Sequence, residues 1–149
     1  MSYVRPSIHI PAELHEQIVA RGPRSTIISR DLTRLYTLYR RALAQIELSV
    51  DEACLIVDAL NGSLMDANSA RLLWASIEDA CKLDALDAKW NVDGAQLMQK
   101  LQQLNELQAM ALVDAAERLW EEVTRCNEAG EPTDIREMVK PIFMIKDSL

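Results

Sequence analysis

Residues 24–48, RSTIISRDLTRLYTLYRRALAQIEL, place the tightest limit on what this chain can fold into. Their apolar side chains fall at Ile28, Leu32, Leu35, Tyr36, Tyr39, Leu43 and Ile46, steps of three and four that lie on one face of an α-helix. Arg30, Arg34, Arg40 and Arg41 take the opposite face. Ser25 stands where an N-cap is expected. Composition points the same way: only four Gly are present and Ala, Leu, Gln and Glu abound, which favours helix. With 49% apolar residues in a chain of 149, the sequence can bury a core as one domain or as a small domain plus a larger one.

The net charge of −7 argues against a chain that binds nucleic acid non-specifically over its whole surface. That average conceals a split. Residues 1–50 carry seven Arg and no Lys against Glu13, Glu16, Asp31 and Glu47, a net +3, whereas residues 51–149 carry a net −10. Any anion-binding surface is therefore expected in the N-terminal third.

Cys54, Cys81 and Cys126 are odd in number, widely spaced and each inside a helical pattern, the usage of a reducing cytosol. No CxxC occurs, and His9 and His15 lack a Cys or acidic partner at ligand spacing, so no metal site is expected. Neither an export-type apolar run at the N-terminus nor a run of about twenty apolar residues is present. The expectation is a cytoplasmic protein without a membrane partner.

Upstream of the long helix, Arg5-Pro6-Ser7-Ile8-His9-Ile10 alternates polar and apolar residues over 7–10, the period of a half-buried strand. Pro6 suits a strand start. No second strand follows in sequence, so its expected partner is the same strand of another copy, in an antiparallel ribbon across a two-fold axis. Pro11 and Glu13 then suit the opening of a first helix, with Leu14 and Ile18 facing inward, and Gly22-Pro23 ends it.

This strand–helix–helix order, with Ile8 and Ile10 on the strand, Pro11-Ala12-Glu13-Leu14 opening one helix and Arg24-Ser25-Thr26-Ile27-Ile28 opening the next, resembles the ribbon-helix-helix DNA-binding family over residues 5–43. The resemblance covers about a quarter of the chain. It implies a homodimer whose ribbon enters the major groove, with Arg5, Ser7 and His9 facing base edges. Arg24, Ser25, Thr26 and Arg30, at the N-terminus of the second helix, would meet a backbone phosphate. The other reading of the same residues is an N-terminal arm packed on a helical bundle, its arginines a solvated face.

The remainder reads as helix throughout, with an internal repeat. Residues 48–59, LSVDEACLIVDA, align with residues 104–115, LNELQAMALVDA, at five identities. Ser49 with Glu52, and Asn105 with Gln108, have capping-box spacing. Each box opens the second helix of a helix-turn-helix unit, and Asn105 is expected to break the helical stretch 95–126, one continuous helix being the alternative. Asn61-Gly62 reads as a helix C-cap, and residues 69–85 as a further helix. Asp93 is placed to cap the helix carrying Leu97, Leu101 and Leu104, whose apolar pattern resumes after Asn105 and dissolves at Asn127. A last short helix starts at Thr133 and ends before Pro141. The fold expected is mainly α: a strand and two helices in residues 1–47, then an acidic helical bundle in residues 48–149 that sets oligomeric state or binds a partner protein.

No Gly-rich phosphate loop, GxSxG or HExxH occurs. Asp58 and Asp114 occupy one repeat position and read as capping or as hydrogen-bonding to a neighbouring helix end. Trp74, Trp90 and Trp120 read as core anchors. With no catalytic set, no metal and no cofactor expected, two functions stand side by side. One is a dimeric, sequence-specific DNA-binding regulator of repressor or antitoxin type. The other is a non-enzymatic helical interaction module, an adaptor or inhibitor working through residues 49–149 without DNA.

Overall fold

Six α-helices, and no strand, form among residues 10–60 and 89–146, the parts of the chain that the computed structural model describes. They are α1 (Ala12–Arg21), α2 (Arg24–Ala44), α3 (Val50–Leu60), α4 (Gly94–Gln102), α5 (Glu106–Ala129) and α6 (Ile135–Ile142). The strand expected at 7–10, with Arg5, Ser7 and His9, lies outside the described residues except for Ile10, as do Asn61-Gly62, Trp74 and the helix expected over 69–85. The chain divides into two compact units between Leu38 and Tyr39, a boundary inside α2.

In the first unit, the Pro11 carbonyl accepts the His15 N–H at 3.0 Å to start α1. Glu13 near the start and Arg21 near the end complement the helix dipole. Gly22 at φ 144° breaks the helix in a conformation that L side chains rarely adopt. The Pro23 carbonyl then accepts from Ile27 N–H at 3.0 Å. So α2 begins at Arg24, and Ser25 sits inside its first turn instead of capping it. The pair Gly22-Pro23 turns the chain directly into the helix, and no separate cap residue is needed.

This hairpin buries very little. Among its described residues only Ile27 is buried. Leu14 and Ile18 do not face a core as their spacing suggested: α1 buries no residue, Leu14 is 47% exposed, and Leu32 on α2 is 43% exposed. The i,i+4 spacing correctly marks one apolar face, but nothing within the described chain covers it.

The second unit contains the core. The end of α2 contributes Ala42 and Leu43, with Tyr39 and Ile46 packed beside them. α3 is buried on nearly every side through Ala53, Cys54, Leu55, Ile56, Val57 and Leu60, as expected of a mostly apolar helix. It packs against α5 and α6, which also pack on each other. α5 offers Ala109, Ala111, Ala115 and Ala116 to this core, and small side chains allow close approach of neighbouring helices. Leu97 and Leu101 of α4, Val139 of α6 and Phe143 complete it. Trp120 Nε1 donates to the Val57 carbonyl at 3.2 Å, tying α5 to α3.

Helix ends in this unit follow local chemistry. Asn105 breaks the 95–126 stretch as expected: its side chain and Gln108 form a reciprocal capping box that opens α5. α5 runs on to Ala129, past Asn127, because Gly130 supplies the left-handed residue (φ 69°) that lets Glu131 N–H reach the Cys126 carbonyl at 2.9 Å. Asp134, not Thr133, caps α6, and Pro141 lies inside it. Pro141 has no N–H to give the Glu137 carbonyl, and the helix ends one residue later.

Glu52 is the one buried charged residue of the described core, 7% exposed. Its Oε1 accepts from Ser49 N–H at 2.9 Å and from Lys100 Nζ at 2.8 Å, while its own N–H donates to Ser49 Oγ at 3.0 Å. One carboxylate thus caps α3 and pins α4 to it. Replacing Glu52 with Ala removes the box and strands the ammonium of a half-exposed lysine. A loss of about 1–2 kcal/mol is expected, read as a lower denaturant midpoint at unchanged slope.

Candidate functional site

The hairpin of the first unit carries two different faces. On one, Ile10, Leu14, Ile18, Ile28, Leu32 and Leu35 line an open groove of about 370 Å³. Arg21 and Asp31 sit on its edge, with Arg21 Nη1 2.6 Å from Asp31 Oδ2 and Arg30 Nε 3.6 Å from Asp31 Oδ1. The Arg21 hydrogen bond holds the Asp31 carboxyl below its ordinary range. Val19, Tyr36 and Leu38 are also exposed in this unit. That is a large apolar exposure for the described residues of this unit.

On the other face, Ser25, Thr26, Ser29, Arg30, Thr33 and Arg34 surround a shallow polar depression of about 640 Å³. Of the residues expected to meet phosphate, Ser25, Thr26 and Arg30 come together here, and Arg24 occupies the first helical position beside them without lining it. The amides of Arg24, Ser25 and Thr26 precede Ile27, the first to make a helical hydrogen bond, so they belong to the electropositive end of the helix. Thr33 Oγ1 and Thr37 Oγ1 each bond a carbonyl one turn back, to Ser29 and Thr33, both at 2.8 Å. Ser29 and Thr33 were missed in the sequence, although their i,i+4 spacing from Ser25 and Ser29 put them on the same row.

Polar chemistry in the second unit centres on Trp90. Its Nε1 donates to Asp58 Oδ2 at 2.5 Å, and Lys89 Nζ reaches the same oxygen at 3.1 Å. Lys89 and Arg136 both approach the indole ring, at 5.0 and 5.1 Å from its centroid. Arg136 Nη1 lies 2.6 Å from Asp51 Oδ1, a buried oxygen that takes no aligned hydrogen bond and is compensated by that charge. Beside them burial pushes the Cys54 thiol up to about 11, against a smaller opposing pull from Arg136. Such a thiol is a packing residue, not a nucleophile.

Asp58 and Asp114 do not share the role their common position suggested. Asp58 holds residues 89–90, while Asp114 accepts from Arg118 Nε, one turn along α5, at 3.0 Å. The difference lies in their surroundings: among the described residues, Asp58 is the one of the two that accepts from an indole N–H. Among the described residues no group of three or more His, Cys, Asp or Glu could hold a metal ion. No described helix is long and apolar enough to cross a membrane.

No family model, curated protein or solved structure matches the chain. Function has to be read from these surfaces.

Proposed function

We propose that this chain is a non-enzymatic helical interaction module that pairs with a second copy of itself through the α1–α2 hairpin. The observation that carries the reading is the open groove of Ile10, Leu14, Ile18, Ile28, Leu32 and Leu35. Full burial of a leucine side chain is worth about 1.5–3 kcal/mol, and three half-exposed leucines leave much of that unrealised. A second copy suits the groove because apolar positions of both helices line it, so a two-fold axis brings like stripes together. The Arg21–Asp31 pair at its edge offers both signs of charge, which also suits a self-complementary contact. The acidic second unit is then the surface for a basic partner protein. We read its segments 48–59 and 104–115 as two copies of one cap-and-helix unit. Both form a capping box, and both bury the equivalent Ala53 and Ala109, Val57 and Val113.

Placing charges on the groove tests the pairing. The double variant Leu32→Glu, Leu35→Glu is expected to lower the mass measured by light scattering from dimer to monomer. Near-ultraviolet circular dichroism from Trp90 and Trp120, in the second unit, should stay unchanged. A wild-type chain that is monomeric at high concentration sinks the proposal.

A second reading, the sequence-specific DNA-binding regulator, is favoured by one observation: Ser25, Thr26, Arg30 and Arg34 line one depression along the first half of α2, and Ser25 and Thr26 lie at its electropositive start. In that reading the dimer places this helix end on a backbone phosphate, and Arg5, Ser7 and His9 contact bases. Binding to duplex DNA should then weaken steeply with salt, and Arg24→Ala with Arg30→Ala should reduce the slope of log affinity against log salt by about 1–2. Absence of any duplex binding at low salt leaves the interaction module alone.

A further inference from the structure

We propose that the second unit holds a binding site for a small amphipathic monocarboxylate, in the cleft where the turn between α2 and α3 faces the end of α6. The site is independent of the hairpin and of whether the chain pairs or binds DNA.

The cleft is open and has a volume of about 730 Å³, within the range of small-molecule sites. Its walls combine Ile46, Leu48, Val50, Met144 and Ile145 with the lysines Lys100, Lys140 and Lys146. The chain has only five lysines, and three of them line this one cleft in a region that is otherwise strongly acidic. Two carboxylates also line it, Glu47 and Glu52. Glu52 is already engaged by Ser49 N–H and Lys100. Lys140 Nζ lies 3.0 Å from Glu137 Oε1, a largely exposed carboxylate outside the cleft lining. Lys146 has no ion-pair partner among the described residues. With Lys100 engaged by Glu52 and Lys140 by Glu137, Lys146 is the lining cation left for an anionic head, beside the apolar side chains of Ile46, Leu48, Val50, Met144 and Ile145.

Met144 is an independent pointer to the same place. It closes α6 in the left-handed conformation, φ 55°, with its N–H on the Pro141 carbonyl at 3.3 Å and Ile145 N–H on the Lys140 carbonyl at 2.9 Å. That is the position where helices usually carry Gly, and α5 does carry Gly130 there. A side chain in this conformation is disfavoured by about 1 kcal/mol or more. What the methionine gives in return is a flexible, polarisable side chain, 41% exposed, on the wall of the cleft.

The charge pattern selects the ligand class. Lysine is a point charge that sets no preference for a planar anion, while Glu47 and the surrounding acidic field disfavour a polyanion such as a phosphate dianion. One carboxylate on an apolar chain meets both conditions.

Titration calorimetry of the full chain with sodium octanoate tests the site. Saturable one-to-one binding is expected, weakened at least tenfold for Lys146→Glu and for octan-1-ol in place of octanoate. Met144→Gly should weaken octanoate binding several-fold while raising the melting temperature, a combination that a purely structural methionine does not give. Each of four results overturns the proposal: no saturable octanoate binding, equal affinity for octan-1-ol, unchanged affinity in Lys146→Glu, or unchanged affinity in Met144→Gly. Co-sedimentation with phosphatidylglycerol vesicles without saturable octanoate binding would assign the lysines to a lipid surface instead.

Discussion

The apolar stripe of α2 is longer than the apolar surface that the described residues supply to cover it. Tyr39, Ala42, Leu43 and Ile46 belong to the core of the second unit, whereas Ile28, Leu32 and Leu35 line an open groove with Leu14 and Ile18. One helix thus has a satisfied end and an unsatisfied end, and the boundary between the two compact units falls between them. A hairpin with a single buried residue has little to offset the conformational entropy of ordering its backbone, roughly 1–2 kcal/mol per residue. The proposed pairing would supply the apolar contacts that the described residues of the hairpin do not make.

The second unit solves the same problem within one chain. α3 is mostly apolar and buried, and it packs against α5 and α6. Its one buried charge, Glu52, serves as helix cap and as partner of Lys100 at once. Polar groups at its edge are similarly matched: Asp58 takes the Trp90 indole and Lys89, and Asp51 takes Arg136. These charged residues tie neighbouring segments of the unit together.

Much of this was legible in the residues because it depends on local chemistry. The Gly22-Pro23 break, the Asn105 interruption with its Gln108 partner, the Asp93 cap and the leucines at 97 and 101 all follow from propensity and spacing. Misreadings arose where a second influence decided the outcome. Ser25 lost its capping role because the Gly22-Pro23 turn leads straight into the helix, and the last helix starts at Ile135, capped by Asp134, instead of at Thr133. Leu14 and Ile18 showed the right periodicity, but periodicity identifies an apolar face without saying whether the same chain covers it. The cleft with Lys100, Lys140 and Lys146 was invisible in sequence, since those residues meet only through packing of α3, α4 and α6. The row of Ser29 and Thr33 beside Ser25 and Arg30 was within reach of helical spacing and was passed over.

The central claim is that the hairpin is ordered by association while the second unit is ordered by itself. Amide hydrogen exchange followed over a dilution on the order of a thousandfold tests this directly. The account predicts that protection across α1 and residues 24–38 falls as the chain is diluted, while protection in α3 and α5 stays constant. Equal protection of the hairpin at every concentration would contradict it.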